Sequence, residues 1–439
     1  MGIDVKLEYK YNVKDFGALG DGETYDTSAI QQALDSASKD GGTVYFPQGT
    51  YLTGTLYLKS DLSVIMNGKA TILASPEIDY YGADTHFNRY AGEHFLDKCL
   101  IYAEDCANIR LYGGTINGNG AEFYEDGKPD IIHPMLFRFL RCKNIWMEDV
   151  NITMPAGWST AFIECEDIHI RGIDISSRHF NGDGLDFDSC RNVFVSDCNM
   201  DTSDDCLCIQ NSVAGRVSRN IIVRNCVMKS KWAAVRIGLL NSGDIEDVVI
   251  SDCIFHDTLC SGFKIQAADS GRIHDVLMSN IIMRNVTRPI FVTSNFCKMG
   301  VLEESARDSS KGIDGLYFKN IIIDNTSQEK AGSMDGIFVV GTPERKIRDV
   351  SLTEIRYRVL GGGGYTKKEV PELTGKRPEY YVLEVSPSSV LYARHVVRLE
   401  VNRFFYDLKQ DDLREPIMYE DVEMAGEQDA YATTVSEEM

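Results

Sequence analysis

A recurring phrase is the feature of this 439-residue sequence that most constrains its fold. It consists of Cys-x-Asn/Asp-Ile/Val followed by alternating apolar residues, and it continues without its cysteine in the later copies. Its Asn or Asp stands at Asn108, Asn144, Asp167, Asn192, Asn220, Asp247, Asp275 and Asp349. From Asn144 to Asp275 the steps are 23, 25, 28, 27 and 28 residues. Such a period indicates a repeat architecture in which each repeat packs on its neighbours.

The repeats predict strands. Each contains short β-branched segments, such as Ile-Ile-Val at 221–223 and Val-Val-Ile at 248–250, and turn residues bound them. Helical periodicity is missing between these segments, which argues against βαβ units. Propeller blades are the alternative, but their repeats run to about 40–45 residues. We therefore predict an all-β fold, a single-stranded right-handed parallel β-helix whose coils stack at about 4.8 Å.

The beginning and the end of the chain differ from the repeats. A helix is predicted early, with Asp26 or Thr27 at its start, Gly41 at its end, and an apolar face formed by Ile30, Ala33, Leu34 and Ala37. This helix would cover the sheet edge at the first coil. We expect one β-helix domain over residues 1–424, with the cap at about 10–60, and a polar C-terminal tail over 425–439. Residues 76–98 and 361–378 predict long loops, the first as the wall of a cleft.

Charge restricts the possible partners. The formal net charge of 45 − 66 = −21 repels nucleic acid and anionic lipid. No apolar run approaches the roughly 18–20 residues that span a bilayer. We therefore expect neither a nucleic-acid nor a membrane partner. The first residues lack a secretory h-region, so we expect a cytoplasmic protein; export with removal of a signal peptide is the alternative.

Twelve cysteines are present, several of them at equivalent positions of the repeat. Cys198, Cys226 and Cys253 each follow the Asn or Asp of a phrase by six residues. Such cysteines are predicted to stack as small buried residues. Disulfides or metal ligands are the alternatives, but the sequence has no C-x-x-C pair. Reduced thiols would favour a reducing compartment.

Carboxylates concentrate in Asn-Gly-Asp-Gly-Leu-Asp-Phe-Asp at 181–188 and in the Asp-Asp pair at 204–205. Asp183 and Asp204 are 21 residues apart, nearly one coil, so we expect them on adjacent coils of one face with Asp205 beside them. Converging like charges raise the pKa of at least one carboxyl. A carboxyl with a raised pKa can act as a general acid while its ionised partners hold and activate water, as inverting glycosidases require.

A structural role is the alternative, in which these aspartates cap turns and stack as a polar ladder. For Asp186 and Asp188 we predict that role, since no partner is expected for them one coil later.

The spacing of N-x-D-G and D-D resembles the signature of glycoside hydrolase family 28, the polygalacturonase-like glycosidases, in its bacterial branch. Segments 15–18, 113–120 and 154–158 resemble further phrases of that family, and the similarity covers about residues 10–423. The resemblance implies a pectin lyase-like β-helix, an oligosaccharide substrate, and no metal or cofactor. It also implies that Asp204 is the general acid, and that Asp183 and Asp205 position and deprotonate water in an inverting reaction.

Seven further residues are predicted to contact the substrate: Asn181, His179, Arg236, Lys264, Gln210, Gln266 and Trp158. A surface-strand arginine is the alternative for Arg236, a plain loop histidine for His179, and a core residue for Trp158.

Three positions depart from the family. Ala233, Gln210 and Gln266 stand where the family carries His, Lys and Lys. Because charge-assisted hydrogen bonds are the strong ones, these replacements are expected to weaken binding of galacturonate.

The sequence thus predicts an inverting glycosidase for pectin-type or other plant-derived oligosaccharides. Two alternatives stay open: a β-helix lyase that holds Ca²⁺ with its carboxylates and uses Arg or Lys as base, and a non-catalytic glycan-binding β-helix.

Overall fold

Parallel strands form most of the structure, a computed structural model. It describes residues 10–85, 97–125, 128–129, 133–297, 308–327, 335–363, 371–373, 375–380, 386–427 and 429–432. They group into two units, within residues 1–182 and 183–439. In each unit, successive coils of a right-handed parallel β-helix contribute strands that pair in register with those of the next coil, so the predicted fold class is confirmed.

The first unit contains strands β1 to β18. In chain order they are Tyr11–Asn12, Asp21–Tyr25, Thr43–Phe46, Gly49–Thr53, Leu56–Tyr57, Leu62–Met66, Ala70–Ala74, Cys99–Glu104, Ala107–Tyr112, Thr115–Asn117, Tyr124–Glu125, Lys128–Pro129, Met135–Leu140, Lys143–Glu148, Asn151–Thr153, Thr160–Ile163, Glu166–Arg171 and Asp174–Ser176. Strands β11 and β12 pair antiparallel. Short 3₁₀ helices lie at Val13–Phe16, Ile78–Tyr80 and Gly120–Phe123.

The second unit contains strands β19 to β37 and a 3₁₀ helix at Pro378–Tyr380. The strands are, in chain order, Leu185–Asp188, Arg191–Ser196, Asn199–Thr202, Leu207–Asn211, Val217–Arg224, Val227–Ser230, Ala233–Asn241, Asp244–Ser251, Ile254–Thr258, Ser261–Ala267, Ile273–Val286, Ile290–Ser294, Ile313–Asp324, Ile337–Val340, Ile347–Val359, Leu391–Asn402, Phe404–Leu408, Ile417–Met424 and Ala430–Ala432. The first coils each supply three strands: β19 to β21, then β22 to β24, then β25 to β27.

The turn of the recurring phrase explains its Asn or Asp. All eight of these residues have a left-handed backbone, with φ between 51° and 60°. Asn and Asp tolerate this conformation better than other residues that carry a Cβ. Their side chains also join neighbouring coils, since Asn220 Nδ2 donates to Asn192 Oδ1 at 2.9 Å.

All twelve cysteines lie in the described part of the chain, and none of them forms a disulfide. Eleven are buried and Cys106 is half-buried. Sulfur contacts link neighbouring coils within the first unit, where the Cys142 N–H donates to Cys165 Sγ at 3.4 Å. The prediction of stacked, buried thiols is confirmed.

The predicted capping helix α1 is present as Thr27–Ser38, with Ile30, Ala33, Leu34 and Ala37 buried. Gln31 projects from α1 to the edge strand β5, donating to the Tyr57 carbonyl at 3.0 Å and accepting from the Tyr57 N–H at 2.9 Å. An amide side chain thus occupies the pairing position of a further strand and protects the edge.

The helix α1 begins where predicted, with Asp26 as its N-cap residue, but the predicted end was wrong. Asp26 makes no side-chain cap and instead accepts from the N–H groups of Leu19 and Gly20 at 2.7 and 2.9 Å. It therefore holds the Gly-rich loop before the helix. The residue that ends the helix is Lys39, two residues before the predicted Gly41.

The C-terminal end holds more regular structure than predicted. Ala430–Ala432 pairs in parallel with Phe404, Phe405 and Tyr406, so a strand lies inside the segment predicted as a tail. In the first predicted loop, His86, Phe87, Tyr90 and His94 lie outside the described residues. Among the residues that are described, no helix has the length and apolar character to cross a membrane.

The left-handed turns lead to a stability prediction. Asn220→Ala and Asn220→Gly both remove the amide bond to Asn192, but only alanine places a Cβ in the left-handed conformation. We expect the alanine variant to lose about 1 kcal/mol more of the free energy of unfolding than the glycine variant. Guanidinium unfolding of the two variants measures the difference. An alanine variant as stable as the glycine variant would show that backbone strain does not select this residue.

Candidate active site

A column of polar residues runs along one face of the second unit, on β19, β22, β25 and β28. Asp186 pairs in register with Cys208, Cys208 with Arg236, and Arg236 with Lys264. Parallel pairing places equivalent side chains of successive coils about 4.8 Å apart on the same face. Strand register therefore brings together residues that are 22 to 28 positions apart in sequence.

The predicted partner of Asp183 was off by one residue. Leu185 pairs with Leu207, and the Gly184 N–H donates to the Asp205 carbonyl at 2.9 Å. The coil is thus 22 residues long here, and Asp205 rather than Asp204 is the equivalent of Asp183. The same close approach explains the glycine of the N-x-D-G motif, because a Cβ at Gly184 would lie 2.3 Å from the Cys206 carbonyl oxygen.

Asp183, Asp204 and Asp205 nevertheless converge as predicted. Each presents a carboxylate oxygen within 4.8 Å of the others. Asp183 and Asp205 are buried and Asp204 is half-buried. Hydrogen bonds hold the Asp204 turn: Asp204 Oδ1 accepts from the Asp205 N–H at 2.9 Å, and its carbonyl accepts from the hydroxyls of Thr202 and Ser230, both at 2.6 Å. The least buried of the three carboxyls is therefore fixed in place.

Arg236 is buried among these carboxylates, which corrects its surface-strand alternative. Its Nε lies 3.1 Å from Asp205 Oδ2, and its Nη2 lies 3.9 Å from Asp183 Oδ2. The Nε contact is a charge pair without the alignment of a hydrogen bond. Within the described residues, Oδ1 of Asp183 and Oδ1 of Asp205 are buried and have no hydrogen-bond partner. Two carboxylate oxygens are therefore available for water or substrate.

Burial and neighbouring charges give the three carboxyls different environments. Burial, reinforced by Asp205, raises the pKa of Asp204 to about 6, even though Lys264 and Arg236 oppose the shift. Burial and the charges of Asp204 and Asp186 raise the pKa of Asp183 well above its usual range. Asp205 makes the closest contact with Arg236, since its Oδ2 lies 3.1 Å from the guanidinium Nε. The site therefore places a carboxyl with a raised pKa beside a carboxylate that is paired with a guanidinium.

Asp186 belongs to the cluster, against the structural role predicted for it. A carboxylate oxygen of Asp186, one of Asp183 and the sulfur of Cys208 lie within 4.8 Å of one another. Burial raises the pKa of Asp186 well above its usual range, against the opposing charge of Arg236. Cys208 Sγ lies 3.7 Å from Oδ2 of both Asp183 and Asp205. The sequence reasoning placed neither residue in the site, because it gave Asp186 a structural role and did not single out Cys208, although the steps of 22 and 28 residues that lead to Arg236 could have found them.

Asp188 has the predicted structural role. It accepts from the Ser212 N–H at 2.7 Å and from the Ser212 hydroxyl at 2.6 Å, and it pairs in register with Gln210. Gln210 is buried on β22 beyond Cys208, and its place in substrate binding stays a prediction.

Lys264 and Gln266 lie on β28 and are both buried. Lys264 Nζ lies 3.6 Å from Glu379 Oε1 and 4.9 Å from the centre of the Trp232 ring. Gln266 Nε2 donates to Glu379 Oε2 at 2.9 Å. Glu379 is a third residue that the sequence reasoning missed, since no coil spacing connects it to β28.

The remaining predicted contacts, Trp158, His179 and Asn181, belong to the first unit. Trp158 is buried in a cluster with Met135, Leu140, Ala161 and Ile163, which fits its core alternative. The ring of His179 stacks on that of Tyr124 with centroids 4.7 Å apart. Asn181 has a left-handed backbone, and its buried Nδ2 has no partner among the described residues; its contact with the substrate stays a prediction.

The carboxylate cluster also has the spacing of a metal site. However, Arg236 already places a positive charge between Asp183 and Asp205, and a second cation there would be repelled. Ca²⁺ further requires about six to eight oxygen ligands. The arrangement therefore favours a bound water over a metal ion.

Comparison with known proteins agrees with this chemistry. A family model described as glycosyl hydrolases family 28 matches residues 42–369. The chain belongs to this family. It is a glycosidase, and neither the lyase nor the non-catalytic alternative is favoured.

Individual relatives of this family 28 chain are distant. It is 26% identical over 356 residues to a probable polygalacturonase of Vitis vinifera, covering 74% of this chain and 70% of the relative. It is 24% identical over 395 residues to an exo-poly-alpha-D-galacturonosidase of Dickeya chrysanthemi, covering 76% of this chain and 65% of the relative. The structure of the Yersinia enterocolitica family 28 exopolygalacturonase has the same fold, with a TM-score of 0.66 and 20% identity over 96% of this chain and 76% of that one.

The protonation pattern gives a prediction for Asp204. Asp204→Asn keeps the shape but removes the transferable proton, so kcat/KM on an oligosaccharide should fall by about 10²–10⁴. In the wild type, kcat/KM should decline as the pH rises above about 6, because Asp204 then loses its proton. The variant should lack this decline.

Asp201→Asn is the matched control, because it removes the same charge from the preceding strand, where Asp201 pairs with Lys229 at 3.3 Å. It should retain both the rate and the alkaline decline. Near-wild-type activity of Asp204→Asn on a substrate with a poor leaving group would remove Asp204 from the role of general acid.

Proposed function

We propose that this chain hydrolyses glycosidic bonds of pectin-type oligosaccharides with inversion at the anomeric carbon. The proposal rests on one observation, the contrast between two carboxylates that can hold a water and a third carboxyl that can hold a proton. Two buried carboxylate oxygens, on Asp183 and Asp205, have no partner among the described residues. Beside them lies the half-buried carboxyl of Asp204, whose pKa is raised to about 6.

Each carboxyl has one task in the proposed reaction. The protonated Asp204 gives its proton to the glycosidic oxygen as the bond from that oxygen to the anomeric carbon breaks. A water held by Asp183 and Asp205 attacks the anomeric carbon and gives a proton to Asp205. Arg236 lies closer to Asp205 than to Asp183, and the pKa of Asp183 is raised well above its usual range, so Asp205 rather than Asp183 is the base. Afterwards the proton on Asp205 returns to Asp204 through solvent, which restores the starting state.

Inversion is supported by the different roles of the three carboxyls rather than by the distances between them. Carboxyl separations of about 5–5.5 Å are typical of retaining enzymes and about 6.5–9.5 Å of inverting ones, and the oxygens here lie within 4.8 Å of one another. A retaining enzyme needs one nucleophilic carboxylate. Here two adjacent carboxyls with partnerless oxygens can hold a water between them. The resemblance of the N-x-D-G and D-D motifs to the family points in the same direction.

Pectin-type substrates are supported by the names of the relatives, which include a probable polygalacturonase and an exo-poly-alpha-D-galacturonosidase. The replacements at Ala233, Gln210 and Gln266 support a substrate with fewer carboxylates than polygalacturonate. The twelve thiols, none of them in a disulfide, support a cytoplasmic location, where short oligosaccharides would be the substrates.

The stereochemical outcome is the test. Purified protein is incubated with a panel of pectic and other plant oligosaccharides, and ¹H NMR follows the first anomer that forms. We expect new reducing ends whose anomeric configuration is opposite to that of the cleaved bond, at a rate that a chelator leaves unchanged. A first product of the same configuration would contradict inversion. An unsaturated, ultraviolet-absorbing product that disappears with chelator would indicate a lyase, and binding without reducing ends would indicate a glycan-binding protein.

A further inference from the structure

Lys264 is the second buried cation of the candidate active site. It follows Arg236 by one coil in the column, and it is fully buried. Its charge acts on the catalytic group, because it lowers the pKa of Asp204 against the effect of burial. A buried ammonium next to a sugar-binding site would ordinarily attract a carboxylate of the substrate, since charge-assisted hydrogen bonds are the strong ones.

The protein supplies that carboxylate itself. Glu379 Oε1 lies 3.6 Å from Lys264 Nζ, and Glu379 is fully buried. Burial by itself would raise the pKa of Glu379, but Lys264 and Arg377 lower it to about 2. Glu379 therefore keeps its negative charge at any working pH.

Two hydrogen bonds hold Glu379 in this position. Its Oε1 accepts from Arg377 Nε at 2.8 Å, and its Oε2 accepts from Gln266 Nε2 at 2.9 Å. Leu373, earlier in the same segment, packs with Phe291, Phe338 and Tyr392. Phe291 is the in-register neighbour of Lys264 on the next coil. The segment is thus anchored along the same column that carries Lys264.

Arg236, the other cation of the column, also lies beside carboxylates of the protein. Arg236 lies within 3.9 Å of Asp183 and Asp205, as Lys264 lies next to Glu379. A sugar carboxylate that entered here would find a protein carboxylate within 4 Å of each cation. The contact of Lys264 with Glu379 is an ion pair without a hydrogen bond, and Glu379 Oε1 also lies 2.6 Å from Arg377 Nη2.

We propose that Glu379 is a specificity-determining residue. By pairing with Lys264 it leaves that cation less able to bind a substrate carboxylate, so the enzyme accepts an uncharged sugar unit at this position and disfavours a uronate. This inference rests on the proposed glycosidase function and specifies its substrate class. Glu379 acts through Lys264 and touches neither the cleaved bond nor the attacking water.

The direct test is the variant Glu379→Gln, which keeps the side-chain shape and removes the charge. The substrates are tri-galacturonate and its methyl ester, which share one sugar skeleton and differ in charge. We expect the ratio of kcat/KM for the acid to kcat/KM for the ester to rise about ten- to a hundredfold, as one charged contact to a carboxylate is gained. In the wild type the ester should be the better substrate.

Glu372→Gln is the matched control. Glu372 belongs to the same segment and pairs with Arg394 and His395 at its exposed side, so the variant removes an equal charge without touching Lys264. Its ratio should stay within about twofold of wild type. The double variant Lys264→Met with Glu379→Gln removes both buried charges together and should lose the gain of the single variant. This double variant also avoids leaving one buried charge unpaired.

Binding provides a second arm that needs no catalysis. NMR titration of the wild-type protein with galacturonate and with its methyl ester should show no preference for the acid, and Glu379→Gln should create one. Wild-type preference for the acid, or an unchanged ratio in Glu379→Gln, overturns the inference while cleavage of the ester still supports the glycosidase. If neither trisaccharide is cleaved, the proposed function fails for this substrate class, and the binding ratios alone decide the role of Glu379.

Discussion

Parallel pairing of strands in fixed register is the constraint on which the rest of the structure depends. Each strand of a coil faces its equivalent on the next coil at about 4.8 Å, so equivalent residues stack whether or not their charges are compatible. Asp186, Cys208, Arg236 and Lys264 form such a stack. A helical bundle could separate these side chains by rotating its helices, whereas a β-helix coil cannot shift one residue without moving its whole strand to the opposite face.

The chemistry of the site follows from this enforced proximity. Buried carboxyls that lie close together cannot all ionise, and the cation nearest to them decides which one does. Arg236 lies closest to Asp205, while burial raises the pKa values of Asp183, Asp186 and Asp204, of which Asp204 is the least buried. One residue of the column thereby separates an acid from a base among groups of the same type. Glu379 extends the same principle to Lys264, since the second cation also meets a carboxylate of the protein.

The features that recur with the repeat could be predicted from the sequence, whereas a contact from a segment outside the repeat could not. The phrase with Asn or Asp predicted the coils, because only a few residue types tolerate the left-handed turn that those positions adopt. The convergence of Asp183, Asp204 and Asp205 was predicted from a spacing near one coil. The register was wrong by one residue, because coil length varies and only strand pairing fixes it. Glu379 could not be predicted, since it reaches Lys264 from a segment 115 positions later that belongs to no repeat.

In the proposed reaction, one carboxyl of the cluster holds a proton while its neighbour is ionised. Neutron diffraction from deuterium-exchanged crystals at about pH 5 observes this directly. We expect a deuteron on Oδ2 of Asp204, because its Oδ1 accepts the Asp205 N–H, and no deuteron on Asp205, which acts as the base. A deuteron on Asp205 with Asp204 ionised would rule out the proposed reaction, because the acid and the base would then be exchanged.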